Sequence, residues 1–288
     1  MMNNIEIAEL YKPMLDEIYQ QEAKTAILEG DSDSVIVSGY GEVKVAKLDM
    51  DGLGDFQRNS GYTKGTTKLT WETIKMEKER SEELRIDRLD ESESLDMAFA
   101  KLGGEFMRTK VIPETDAARI SKLYGTAGVT TVEESLETGE AVIKALRKAA
   151  NTLDDAEVPE GQRILFIDTT LHSLVDDLDT TKSKKVLEKF DFVIPMPSRR
   201  MYTKIVLNDG KTDYGYKKAT DGHEGNFLVV EKSAAIAKLA EWLKYIDPDN
   251  DQIADDHVFK YRNNNLYAYV YENKVAGVYG SYAPLSAE

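Results

Sequence analysis

The stretch Asp51–Thr73, DGLGDFQRNSGYTKGTTKLTWET, decides how the rest of the chain is read. Its four glycines, two lysines and one arginine suit either a loop that cradles a phosphate or the tip of an extended arm. A dinucleotide fingerprint needs G-x-G-x-x-G between a strand and a helix. Gly52 and Gly54 begin one, but Gln57 stands where the third glycine belongs and an extended run follows. A P-loop needs four residues between its glycines and then Gly-Lys-Ser/Thr. Gly61 and Gly65 have three between them, and Thr66 follows. Both phosphate templates fail in spacing and in context, which leaves the arm.

The flanks support an arm. Residues 33–48 carry the β-branched Val35, Val37, Val43 and Val45, interrupted by Gly39 and Gly41. Residues 67–76 return as a second extended run in which Leu69 and Trp71 alternate with polar neighbours, and residues 83–90 alternate again through Leu84 and Ile86. The pattern predicts a long hairpin with a polar, glycine-rich tip. A two-stranded hairpin alone is marginal in water, and glycine adds to the entropy lost on ordering. Such an arm becomes economical where it lies across a neighbouring subunit and buries Leu53, Phe56, Tyr62 and Trp71. Among these, Phe56, Tyr62 and Trp71 are the expected anchors, because aromatic side chains dominate interface energetics. Arg58, Lys64 and Lys68 would pair with a neighbour's carboxylates, each exposed pair contributing about 0–1 kcal/mol.

Beyond the arm, residues 94–124 predict one bent helix capped by Ser94. Its stripe runs Leu95, Phe99, Leu102, Phe106, Thr109, Pro113, Ala117, Ile120 and Tyr124, with a stop at Gly125. Gly103, Gly104 and Pro113 are its expected flexing points. Residues 133–154 predict a second amphipathic helix, Arg163–Asp168 (RILFID) a buried strand, 171–178 a helix, 227–230 a strand and 233–246 (SAAIAKLAEWLKYI) a strong helix. Residues 211–225 predict a loop, and 257–282 a β-rich end. Residues 5–29 read as an arm broken at Pro13. The order of elements is α+β, with helices flanking small sheets.

The 288 residues carry a net charge of −15, which opposes long-range attraction to nucleic-acid phosphates or anionic membranes. The absence of cysteine excludes disulfides and thiolate metal sites. No run approaches the ~20 apolar residues of a bilayer crossing, and the N-terminus lacks a signal pattern; the expectation is a soluble protein with no membrane contact. DPDNDQIADDHV, 247–258, imitates a calcium loop with Asp247, Asp249, Asp251 and Asp255. Gln252 replaces the turn glycine and Val258 the bidentate glutamate. His172, His223 and His257 lie far apart, and no G-x-S-x-G occurs. No catalytic, cofactor or metal residues are assigned; an enzyme using the acidic loop at 247–256 remains the reading from another class.

Three long strings carry a family resemblance: 42–73 (EVKVAKLDMDGLGDFQRNSGYTKGTTKLTWET), 83–124, and 247–280 (DPDNDQIADDHVFKYRNNNLYAYVYENKVAGVYG), with RILFID and IPMPSRRMYTKI between them. Together they resemble major capsid proteins of tailed phages infecting Gram-positive bacteria, which have the Hong Kong 97 capsid fold. The resemblance implies an N-terminal arm at 1–32, an extended E-loop hairpin with flanking strands at 33–90, and the spine helix of a peripheral domain at 91–126. It further implies an axial domain at 127–250 and peripheral strands with the C-terminus at 251–288. The implied function is self-assembly, through hexamers and pentamers, into an icosahedral shell around double-stranded DNA. Scaffolding, portal and decoration proteins are the implied further partners, and the virion, assembled in the host cytoplasm, the implied location. An encapsulin-like nanocompartment shell is the alternative within the same fold.

Overall fold

The computed structural model describes residues 23–29, 35–38, 42–56, 58, 62, 64–76, 78–87, 103–178, 181–251 and 253–285. The expected Ser94 cap, the stripe residues Leu95, Phe99 and Leu102, and residues 1–22 of the expected arm lie outside the described residues.

The largest unit is a five-stranded mixed sheet. Its strands are β5 (Thr130–Glu133), β6 (Arg163–Asp168), β7 (Phe192–Met196), β10 (Gly225–Glu231) and β13 (Val278–Tyr282), in the order β5-β13-β10-β6-β7. β6 and β10 are buried along their whole length because each separates two cores. Leu165, Ile167, Phe227 and Val229 pack against Val142, Leu146, Ala149 and Leu153 of α2 (Gly139–Asp155), with α3 (Thr169–Asp176) and α4 (Thr181–Leu187) completing that layer. Ile164, Phe166, Leu228 and Val230 point the other way, onto Ile120, Leu123 and Tyr124 of α1 (Ile112–Tyr124). Period-two alternation thus turns a continuously apolar run such as RILFID into a wall between two cores.

A second sheet, of order β11-β12-β4, comprises β4 (Lys78–Asp87), β11 (Ala235–Ile246) and β12 (Asp256–Val270), all antiparallel. Its inner face packs Tyr245, Phe259 and Tyr261 on Met107, Val111 and Ile112. Here the helix expected at 233–246 is overturned: residues 235–246 form a strand paired with β12 from Ala235↔Val270 to Ile246↔Val258. Helix propensity of Ala, Leu and Lys gives way to a long antiparallel pairing with a buried neighbour. The two sheets also do not part at residue 250, since β11 lies with β12 while β13 joins the five-stranded sheet.

A small antiparallel pair, β8 (Ile205–Leu207) and β9 (Tyr216–Lys218), brackets a loop turned at Gly210 (φ 74°) and Gly215 (φ 71°). Those angles favour glycine. The third sheet contains β1 (Val35–Ser38), β2 (Glu42–Met50) and β3 (Thr67–Lys75), with β2 in the middle.

Candidate subunit interface

The expected hairpin forms, with β2 and β3 paired without a bulge from Glu42↔Lys75 to Met50↔Thr67. At ~3.3 Å per residue, nine residues carry its far end about 26 Å from its base. Alternation assigns the two faces. Val43 and Val45 are buried at the base with Ile236 and Leu266, and Ile74 packs beside them. Their row faces the chain's own body, and its member Glu72 accepts a hydrogen bond from Tyr269 at 3.0 Å. Further out on that row stand Thr70 and Lys68, both polar and both exposed. The opposite row holds Trp71, Leu69 and Met50, exposed by 49%, 59% and 64%. The apolar row therefore faces away from the body, the reverse of what an arm folded for its own chain would show.

The tip is closed by Asp51, whose Oδ2 accepts from the Thr66 amide at 2.7 Å and the Thr66 hydroxyl at 2.6 Å. The hydroxyl and then the amide hold the carboxyl below its ordinary value. Phe56 and Tyr62, 11 and 4 residues from Thr67 on either side of the masked segment's core, meet edge to face with ring centroids 5.2 Å apart. Leu53 beside them is fully exposed, and so are Arg58, Lys64 and Lys68 to solvent contact. The structure thus unites Phe56 with Tyr62 and sets Trp71 apart on the outer row of the arm.

Gly103 and Gly104 are buried in the turn that leads into a π-helical turn, Met107–Val111, and Pro113 follows directly. The Ile112 amide reaches back to Met107 O. Widening the turn here relieves the clash and the missing donor that proline imposes. The extra residue also shifts the buried face. Met107, Val111 and Ile112 point inward, while Thr109, a member of the expected stripe, is exposed. The helix ends at Gly125, as the sequence predicts.

Sequence reasoning missed a buried polar knot on α1. Asp116, fully buried, accepts from the Lys24 amide (3.2 Å), the Thr25 amide (3.1 Å), the Thr25 hydroxyl (2.6 Å) and Arg200 (2.9 Å). Arg119, one turn on, donates to Thr25 O at 3.2 Å and to Glu29 at 2.7 Å. Residues 23–29 are therefore packed into the body, with Leu28 in the central core. No local pattern announces partners some ninety residues apart in sequence.

A cleft of about 680 Å³ opens beside the π-helical turn. Its walls are β4 from Glu79 to Leu84, the helix from Phe106 to Glu114, and the loop from Asp209 to Tyr216, over a floor of Tyr261 and Asn263. Arg80 braces all three walls. It donates to both Glu114 oxygens (2.7 and 3.0 Å) and to the backbone carbonyls of Asn208 and Gly215.

The chemical motifs resolve into local structure. Asp251 accepts from the Ala254 and Ile253 amides, and Arg85 reaches both Asp251 (3.0 Å) and Asp256 (3.4 Å). Desolvation raises the Asp251 carboxyl; the two amides and the guanidinium outweigh it and leave the group below its ordinary value. The acidic loop is thus held by donors of its own chain. Among the described residues, no group of three or more histidine or carboxylate side chains could hold a metal. His172 pairs with Asp176, His223 lies 3.0 Å from Ala283 O, and His257 lies 2.6 Å from the Tyr245 hydroxyl, so the three do not converge.

No protein-family model matches the sequence, and no curated protein is detectably similar to it. Solved structures are. The capsid of the cyanophage P-SCSP1u superposes with a TM-score of 0.58 at 15% identity, covering 87% of this chain and 85% of that one. A Gordonia phage Cozz structure gives 0.56 at 15% identity over 93% and 87%. A virus-like particle from Pyrococcus furiosus gives 0.57 at 10% identity over 94% and 99%. The chain therefore has an α+β fold of the Hong Kong 97-like capsid type along nearly its whole length.

Proposed function

We propose that this chain is a major capsid protein, whose copies close into the icosahedral head shell of a tailed phage around its double-stranded DNA. The observation that carries the reading is the outward apolar row of the hairpin: Trp71, Leu69 and Met50 have no use on their own subunit and suit a second copy. The capsid fold supplies the context, and the phage capsid matches favour this reading over an enzyme-packaging nanocompartment. The role is structural and not catalytic. Repeated contacts of modest strength add up in a closed symmetric shell, and the charge of −15 suits enclosing DNA without gripping it.

In this reading β2, β3 and the tip are the E-loop, α1 with its π-helical turn is the spine, and the sheet of β4, β11 and β12 belongs to the peripheral domain. The five-stranded sheet, β13 included, is the core of the axial domain. Hexamers and pentamers of the chain form the lattice, and scaffolding, portal and decoration proteins are its natural further partners. The product is a virion component assembled in the host cytoplasm. Among the described residues, no helix is long and apolar enough to cross a membrane. The spine adapts to unequal lattice positions at Gly103, Gly104 and Pro113. Pro113→Ala should then narrow the range of particle shapes while the monomer's melting temperature holds; unchanged particles would count against the hinge.

Expression of the full chain followed by electron microscopy tests the main reading. Closed, uniform shells are the expected result. A monomer that stays compact at every concentration, with the hairpin lying on its own body, would refute it.

A further inference from the structure

Resting on the assembly reading, the argument turns to what receives the tip. The Phe56–Tyr62 pair is a preformed aromatic wedge, with Phe56 60% and Tyr62 89% exposed. Arg58 and Lys64 stand beside it, exposed as well. A wedge of this kind needs a concave, partly apolar, acidic seat. The cleft against the π-helical turn has those properties. Its volume falls within the range of sites that enclose drug-sized molecules. Phe106, Val111, Pro113, Tyr214 and Tyr261 give it apolar and aromatic surface. Its charged lining is Glu79, Glu82, Glu114 and Asp209 against Arg80 and Lys110. Arg80 and Glu114 satisfy each other, and Glu79 also meets Arg262. The remaining balance is acidic, which complements Arg58 and Lys64.

The seat belongs to another copy. The hairpin ladder is unbroken, so the tip stands about 26 Å beyond Lys75. The cleft begins at Glu79, four residues past Lys75, at the hairpin's base. The exposure of Leu53 and Tyr62 agrees that the tip is not seated on its own chain.

We infer that the Phe56–Tyr62 wedge of one copy docks in the cleft between β4, the π-helical turn and the 208–216 loop of a second copy, with Arg58 and Lys64 meeting Glu82 and Asp209. The cleft is then the specific receptor of the arm, and Arg80 holds its three walls in the receiving geometry.

The absence of native cysteine makes the test direct. Tyr62→Cys and Tyr214→Cys chains are mixed, assembled and oxidised, with Tyr62→Cys plus Ile253→Cys as the control. The expected result is a chain-to-chain disulfide dimer from the first mixture, several-fold above the control and absent from either variant alone. Particles that form without that excess overturn the inference and leave the capsid reading standing. Failure of the unaltered chain to form particles at all overturns both. Charge exchange gives an arm that does not rely on cysteines: Lys64→Glu should raise the concentration needed for assembly several-fold, and adding Glu82→Lys should restore it. A double variant no better than Lys64→Glu alone also overturns the inference.

Discussion

Replacing Trp71 with alanine separates folding from assembly. The indole is 49% exposed on the row that faces away from the body, so the monomer gains little from it. Seating on a second copy would remove about 100 Å² of its apolar surface from water, which at ~25 cal/mol per Å² contributes about 2.5 kcal/mol. At 1.4 kcal/mol per tenfold, that is a ~60-fold change in the affinity of each arm contact. In a closed shell of equivalent copies each chain gives one arm and receives one, so the concentration threshold for assembly should rise by tens of fold. Light scattering against protein concentration measures the threshold, and thermal unfolding of the unassembled chain should show a nearly unchanged Tm. Lys68→Ala, on the body-facing row, is the internal control and should move the threshold less than about fivefold, in line with an exposed ion pair. If Trp71→Ala stays within that same fivefold, the outward row is not an interface. A large fall in Tm would mean instead that Trp71 serves its own chain.

Asp116→Ala strands the Thr25 amide and hydroxyl together with Arg200 in a buried site, and should cost about 3–5 kcal/mol of stability in urea denaturation; a loss under 1 kcal/mol would refute the knot. Gly280→Ala sets a Cβ 2.6 Å from the Tyr124 ring, and overpacking of this kind should cost about 1–3 kcal/mol, read from the same denaturation curves. The Tyr269 phenol is pushed up to about 12, first by burial and then by its bond to Glu72. The folded state therefore keeps this proton longer than the unfolded one. Its contribution is intact below the ordinary tyrosine value of 10.0 and is lost as pH rises toward about 12. Tyr269→Phe should remove one late-titrating phenol from the ultraviolet titration; an unchanged titration curve would contradict the assignment.

Much of the fold was legible because it is local. RILFID reads as a buried strand from its unbroken apolar run, and the β2–β3 hairpin from alternation on both sides of a glycine-rich tip. Residues 233–246 misled because spacings of four satisfy both periods. Leu239 and Leu243 share a helix face and also, being an even number apart, a strand face. Trp242 and Tyr245 break the tie. A helix would gather Trp242 with Leu239, whereas Trp242 is half exposed and Tyr245 is buried with both leucines. The anchors Phe56, Tyr62 and Trp71 could be named from composition, but which row they occupy depends on the register set by Val43 and Val45. The Asp116 knot and the cleft had no sequence signal, because each joins segments far apart along the chain. The π-helical turn was half legible: Pro113 marked the place, and the extra residue was not foreseeable from a stripe that seemed to hold its phase.

The far end of α1 is pinned as firmly as its start is loosened. The Tyr124 hydroxyl bonds to Phe227 O (2.8 Å) and Ser281 O (2.9 Å), and the ring fits where Gly225 and Gly280 have no side chain. Between that joint and the wide turn lie thirteen helical residues, a rod of about 20 Å. A rod hinged at one end and fixed to a sheet at the other is a lever. A tilt of about 5° at the turn would swing the five-stranded sheet by roughly 1.7 Å with both of its cores intact.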